Sequence, residues 1–338
     1  MSRKTRLPAR VLEFARERAL LRRGDRVLVA VSGGADSMVL LRCLREVGRA
    51  LDLSIAVGHV DHTIRADSAE DAAFVASEAA RIGLPCAVRR ADVRGVARAR
   101  GATLEEAGRE IRGTLLLEMA RDVGARVVAT GHTATDQAET VLMRLLRGTG
   151  PAGLAGIVPH RPDGFVRPLL CATRAEVRAF AEAHGVVFRE DPTNRDERHL
   201  RNRIRLRVLP VLLECNPRAE HALCALAEDA EAIGARVAGE AAALVEGGEG
   251  EARVGRAAAR GCGQMLLPYV VRAAFERATG APLGLSRTHI DAVVRLVASG
   301  AGGEVHLPRG VIARSGRVGL VLRRGVVPRR GPAGRRSG

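Results

Sequence analysis

Residues 27–44 read VLVAVSGGADSMVLLRCL. An apolar, β-branched run ends at Val31. Ser32-Gly33-Gly34-Ala35-Asp36-Ser37 follows, and apolar residues then resume at three- and four-residue spacing. The run predicts a buried strand and the spacing predicts a helix that starts at once. Between them, two glycines let the backbone come close to a ligand. The serines offer hydroxyls, and the new helix presents unpaired N–H groups at the positive end of its dipole. These are the requirements for holding phosphate. Asp36 is costly beside phosphates unless it serves a cation, which implies Mg2+. A tight turn with Asp36 as an ordinary helix cap is the plainer alternative; the full six-residue string favours the phosphate cradle.

Outward from this stretch, short β-branched runs alternate with longer helical patterns. Arg26–Val31, Leu53–Val60, Cys86–Val93 and Arg126–Thr130 read as strands, and Asp36–Val47, Ser68–Ile82, Leu104–Val123 and Asp136–Arg147 as helices. The expected fold is therefore α/β, with a doubly wound, mostly parallel, Rossmann-like sheet whose ligands sit beyond the carboxyl ends of the strands. Past Leu200 the pattern turns helical and Ala-rich over Leu206–Leu213, Ala219–Val245 and Met265–Thr279, broken by the Gly-rich stretch Glu246–Gly250. Short strands are expected at Val305–Leu307, Val311–Ala313 and Val318–Leu322. The expected organisation is a first domain over 1–215 and a smaller, mainly helical domain with a short β element over 216–325. A basic disordered tail over 326–338 follows.

Composition narrows the chemistry. The 338 residues carry 54 Lys and Arg against 38 Asp and Glu, a net charge of +16, and Lys4 is the only lysine. Walker A loops, pyridoxal Schiff bases and ligases that adenylate their own lysine all need an internal lysine and are excluded. Six Phe, one Tyr and no Trp argue against a single-strand binder that stacks bases on aromatic platforms. The positive charge concentrates in residues 1–24 and from Arg309 onward, while 214–251 is acidic. That distribution suits a body meeting a polyanion at particular surfaces. No stretch is apolar enough to span a membrane, and MSRKTRLPAR lacks an apolar signal core. Cys43, Cys86, Cys171, Cys215, Cys224 and Cys262 contain no CxxC pair and read as reduced thiols of a cytoplasmic protein.

Ser32–Ser37 resembles the pyrophosphate-loop (PP-loop) signature of N-type ATP pyrophosphatases, which cleave ATP between the α and β phosphates. Three further blocks resemble those of tRNA(Ile)-lysidine synthetases. His59-Val60-Asp61-His62-Thr63-Ile64-Arg65 is similar to their HVxHxxR segment. Gly131-His132 through Asp136-Gln137-Ala138-Glu139-Thr140 to Leu145-Leu146-Arg147-Gly148 is similar to GHxxxDQxET…LLRG. Asp191-Pro192-Thr193-Asn194 with Arg201-Asn202-Arg203-Ile204-Arg205 is similar to DPxN…RNxxR. The resemblance implies ATP-dependent adenylation of the C2 oxygen of the first anticodon cytidine in a tRNA(Ile) with a CAU anticodon. The ε-amine of L-lysine then displaces AMP. It also implies a homodimer.

The same resemblance suggests roles for individual residues. Ser32, Gly33, Gly34, Ala35, Asp36 and Ser37, with His59 and Val60, would bind ATP, and Asp36 would hold Mg2+. Asp136 and Glu139 lie three apart on one helix face and would bind the lysine amines, with Mg2+ ligation as the alternative. His132 precedes that helix and is expected to line a pocket with the pair at the end of the fourth strand, where Asp36, His132 and Arg112 would be the catalytic residues. Arg112, in a segment resembling ARxxRY, can clamp a carboxylate or phosphate bidentately. Gly113 and Thr63 stand where the family usually has Tyr and Gly. His59 and His62 can contact adenine or substrate, against a structural role. Arg201 and Arg205 share a helical face and are expected to contact tRNA backbone or ATP phosphate, with Asn194 fixing the loop. Two other functions compete: a PP-loop tRNA thiolase, disfavoured by the lack of CxxC, and a non-catalytic RNA-binding module, disfavoured by the intact loop.

Overall fold

The computed structural model describes residues 7–61, 68–101, 103–190, 196–281 and 284–325. Lys4, His62, Thr63, Asp191–Asn194 and the expected tail over 326–338 lie outside the described residues. By internal contacts the chain divides into two compact units, one ending at Glu231 and one beginning at Ala232. That division falls inside the helix Ala219–Ala243, whose start lies close to the boundary expected at residue 216.

In the first unit, α1 (Leu7–Glu17), β1 (Arg26–Ala30), α2 (Ala35–Leu51), β2 (Ser54–Asp61), α3 (Ser68–Arg81) and β3 (Cys86–Arg90) are followed by α4 (Val93–Arg100) and α5 (Leu104–Asp122). Then come β4 (Val127–Ala129), α6 (Ala134–Leu146), β5 (Phe165–Val166), α7 (Arg174–Ala183), α8 (Leu200–Arg203), α9 (Leu209–Cys215) and α10 (Ala219–Ala243). The five strands form one parallel sheet in the order β3-β2-β1-β4-β5. Strand β1 shows why its sequence is apolar without alternation. Val27 and Val29 pack into a core with α1, α2, α3 and α7, while Leu28 packs into a second core with α4 and α5 on the opposite face. A parallel strand covered on both sides has no face left for polar residues.

The expected strand Cys86–Val93 ends at Arg90 because Asp92 starts a helix: its side chain accepts a hydrogen bond of 2.9 Å from the Gly95 amide. Strand order matters more for function. The chain moves from β1 outward to β3 and then returns to place β4 on the other side of β1. The loops after β1 and β4 therefore part at a switch point, where α/β sheets open a crevice.

The second unit contains more sheet than the sequence patterning indicated. The stretch Glu246–Gly250, expected as a break between helices, forms β6 (Glu246–Gly248) and the turn into β7 (Glu251–Gly255). After α11 (Arg256–Gly261), α12 (Gly263–Thr279) and α13 (Arg287–Ser299) come β8 (Gly303–Leu307), β9 (Val311–Gly316) and β10 (Gly319–Arg324). These five strands make an antiparallel sheet in the order β6-β7-β10-β9-β8. Ala252 and Val254 of β7 and Leu320 and Leu322 of β10 share a core with Val270, Val271, Ala274 and Phe275 of α12.

Candidate functional site

The loop after β1 is shaped by its own residues. Gly33 has φ +90°, a conformation that costs an L side chain roughly 1–2 kcal/mol. The Ser37 hydroxyl accepts from the Ser32 amide at 3.1 Å and donates to the Gly34 carbonyl at 2.9 Å, closing the turn. Gly34 caps α2 without any side-chain hydrogen bond, so the positive helix end is left to an anion. Ala35 is half-buried at the first position of the helix. The loop after β4 approaches closely: a Cβ at Gly131 would stand 3.1 Å from the Asp36 carbonyl and the Ser37 amide nitrogen. Any larger residue would force the backbone of Asp36 and Ser37 to give way.

Asp136 and Glu139 sit on the first turns of α6. Thr133 caps the helix in a reciprocal box, its amide and hydroxyl both donating to Asp136 Oδ2 at 2.8 Å. Three arginines converge on this pair. Arg174 donates to Asp136 Oδ1 at 2.8 Å and to Glu139 Oε1 at 3.0 Å. Arg201 donates to the same Asp136 oxygen at 2.8 Å and to Glu139 Oε2 at 2.7 Å. Arg205 holds Glu139 with both ends of its fork, at 2.6 and 3.0 Å. Glu139 is completely buried, which is tolerable for a carboxylate only with such pairing. Arg174 reaches further, its Nε lying 3.6 Å from Asp36 Oδ2. One guanidinium therefore touches the carboxylates of both loops.

The charges follow from this geometry. Burial opposes ionisation of Asp136 and Glu139, yet the arginines outweigh it. Arg174 and Arg201 bring Asp136 to about 2, and the Arg205 hydrogen bond with Arg174 holds Glu139 below its ordinary value. Burial pushes the Asp36 carboxyl up, Arg174 opposing and Asp136 adding to the rise. Asp36 Oδ1 is buried without a partner. A cation would satisfy that oxygen. Mg2+ is commonly held by one or two carboxylates plus substrate phosphates, so Asp36 fits it, and no cluster of three or more metal-ligating side chains exists among the described residues.

The remaining expected residues divide. His132 Nδ1 hydrogen-bonds Thr130 Oγ1 at 3.0 Å. Its burial, with Arg167, Arg201 and Arg112, lowers its pKa to about 4 and leaves it neutral near pH 7. Arg112 on α5 is depressed by crowding from the protein and then by Arg109 and Arg201; a cation among cations is suited to receive an anion. His59 is buried and its Nδ1 lies 2.8 Å from the Val31 carbonyl, so that nitrogen supports the end of β1. Val60 is buried beside it.

Arg201 and Arg205 were expected to face phosphate; instead they face the acid pair. The reason is the fully buried Glu139, a carboxylate that needs cationic partners: Arg201 in α8 and Arg205 in the π-helical segment Ile204–Val208 both meet on it. Arg174 has no counterpart in the sequence reading. Its partners are 35 and 38 residues away, so no spacing rule exposes it. Thr173-x-x-Glu176 is a legible capping box, however, and it marks Arg174 as the first residue of a helix beyond the carboxyl end of β5.

Comparison with known proteins agrees with this architecture. A family model described as a PP-loop domain matches residues 4–212. A tRNA(Ile)-lysidine synthase of Geobacter sulfurreducens is 40% identical over 315 residues, covering 90% of this chain and 66% of that protein. One from Thermus thermophilus is 47% identical over 214 residues, covering 63% of this chain and 41% of its own. The chain thus spans about two thirds, or less, of the length of these curated relatives. A solved U34-tRNA thiolase from Methanococcus maripaludis shares the fold, with a TM-score of 0.55 at 18% identity over 67% of this chain and 79% of that one. No helix among the described residues is long and apolar enough to cross a membrane. With a glycine turn after β1 and an acid pair after β4, and with more than half of its length matching the PP-loop domain, the chain belongs to the PP-loop family.

Proposed function

We propose that the protein is a tRNA(Ile)-lysidine synthase. The cytosine C2 oxygen attacks the α-phosphorus of ATP and pyrophosphate leaves. The ε-amine of L-lysine then adds at C2, gives up a proton, and AMP departs with its oxygen. The loop from Ser32 to Ser37 holds the polyphosphate through backbone amides and hydroxyls. Asp36 would hold Mg2+, which when bound would supply positive charge beside the polyphosphate. Asp136 and Glu139 receive the lysine ammonium, Arg112 binds an anionic group of substrate, and neutral His132 lies at the mouth of α6 beside them. The second unit, carrying much of the basic surface, contacts the tRNA, and the enzyme acts in the cytoplasm as a homodimer.

The observation that carries this reading is the meeting of Asp36 with Asp136 and Glu139 through Arg174 at the switch point. A phosphate cradle and an ammonium receptor within one side chain of each other suit a reaction that activates an acceptor and then transfers it to an amine. The test is incubation with ATP, Mg2+, labelled lysine and a tRNA(Ile) transcript bearing CAU. Lysine should enter the RNA with one AMP and one pyrophosphate released for each. RNA that gains no label while ATP is consumed overturns the assignment.

A further inference from the structure

On the reading just given, Asp136 and Glu139 receive an ammonium, yet neither has an acceptor left to offer. Asp136 Oδ1 accepts from Arg174 and Arg201, and Oδ2 from the amide and hydroxyl of Thr133. Glu139 Oε1 accepts from Arg174 and Arg205, and Oε2 from Arg201 and Arg205. An ionised carboxylate has about four lone-pair sites. All are taken on both groups. A substrate ammonium entering here would be stripped of water with nothing to bind, a cost of several kcal/mol. One guanidinium has to leave first.

Arg174 is the one with a destination. It makes a single bond to each carboxylate, and its Nε already lies 3.6 Å from Asp36 beside the phosphate loop. Among the described residues, neither Arg201 nor Arg205 forms an ion pair with Asp36. The backbone of Arg174 is fixed, its amide donating to Thr135 Oγ1 at 2.9 Å, so the side chain can swing while α7 stays in place. A guanidinium pairs bidentately with phosphate oxygens, the ligand the adjacent loop is shaped for.

We propose that Arg174 is a movable plug: it fills the amine site of the nucleotide-free protein and turns to the polyphosphate when ATP docks, so that nucleotide binding opens the amine site. This rests on the proposed activity. Its departure frees one lone pair on Asp136 Oδ1 and one on Glu139 Oε1, a span suited to the three donors of a primary ammonium. Arg201 and Arg205 remain to keep the acids ionised. The incoming cation replaces a cation, so the charge of the pocket is conserved. Binding is ordered, nucleotide before amine.

The experiment is calorimetric titration of L-lysine into the full chain, with and without Mg2+ and a non-hydrolysable ATP analogue. Lysine should bind about ten-fold more tightly, or better, with the analogue present. In Arg174→Gln, lysine should bind the nucleotide-free protein about as tightly as it binds the nucleotide-loaded wild type. Arg174→Lys, which keeps a cation on the acids but cannot span both, should show intermediate coupling and serves if the glutamine variant does not fold. Equal lysine affinity with and without nucleotide in the wild type, or undiminished coupling in either variant, overturns the plug and leaves the proposed activity standing. Lysine binding in no state overturns both.

Discussion

Asp36 and His132 illustrate what single side chains contribute. Asp36→Asn removes the charge that the buried, unpartnered Oδ1 carries toward a cation. AMP formation should fall by roughly 100-fold or more while tRNA affinity stays within about two-fold, as measured by AMP release and filter binding. Equal loss of both would remove Asp36 from the chemistry. His132 is held at about 4, below its ordinary 6.5. The unfolded chain then takes up a proton that the folded chain refuses, so stability present above pH 6.5 is lost as pH falls toward 4. His132→Gln should flatten this slope by up to about 1.4 kcal/mol per pH unit between pH 6 and 5, read from urea unfolding. Asp136, held at about 2, adds a separate loss below pH 4. The phosphate loop and the acid pair were legible at this scale because each is local: a six-residue string and an i, i+3 pair. Arg174 was not, since only the fold brings it to Asp36.

Among elements, the closest constraint is the contact between the loops after β1 and β4. Gly131→Ala places a methyl 3.1 Å from the backbone of Asp36 and Ser37. It should cost about 1–3 kcal/mol of stability and raise the KM for ATP several-fold, because the phosphate loop itself must shift. An unchanged KM with lowered stability would mean that the strain relaxes elsewhere. Helices α2, α3, α5, α6, α9 and α10 were readable from apolar spacing and strands β1 to β4 from β-branched runs, whereas α1, α7, α8 and β5 were not. The failures have local causes. Strand β7 is five residues with only Ala252 and Val254 inward, too short and too Gly-flanked to stand out. Helix α4 was not read at all beyond Val93, where the expected strand stopped, because its start depends on the Asp92 side chain capping the Gly95 amide. The π segment at Ile204–Val208 has no sequence signature, and the pairing of Arg201 and Arg205 with buried Glu139 is visible only in the fold.

For the molecule as a whole, a net charge of +16 carried by arginine makes electrostatics the expected source of RNA affinity. Affinity for the tRNA transcript should fall roughly 100-fold or more between about 50 and 200 mM salt, and Asp36→Asn should follow the same line. A flat dependence would reject the basic surface as the docking face. The change from strand–helix alternation to Ala-rich helices was visible in the sequence, but the size of the second sheet was not, because β6 and β7 are short and Gly-rich and join the remaining strands only through the long-range pairing of β7 with β10.

The guanidinium character of the site has a chemical consequence. The proposed intermediate is an electrophile that any free amine nearby would capture. Arginine stays protonated at neutral pH and its nitrogens are poor nucleophiles, whereas lysine is prone to acylation-type side reactions. Every described cation around Asp36, Asp136 and Glu139 is arginine, and the single lysine of the chain lies in its first six residues. Within the described walls of the pocket no protein amine competes with the guest, and the neutral His132 imidazole, its Nδ1 engaged by Thr130, is the remaining nucleophilic nitrogen.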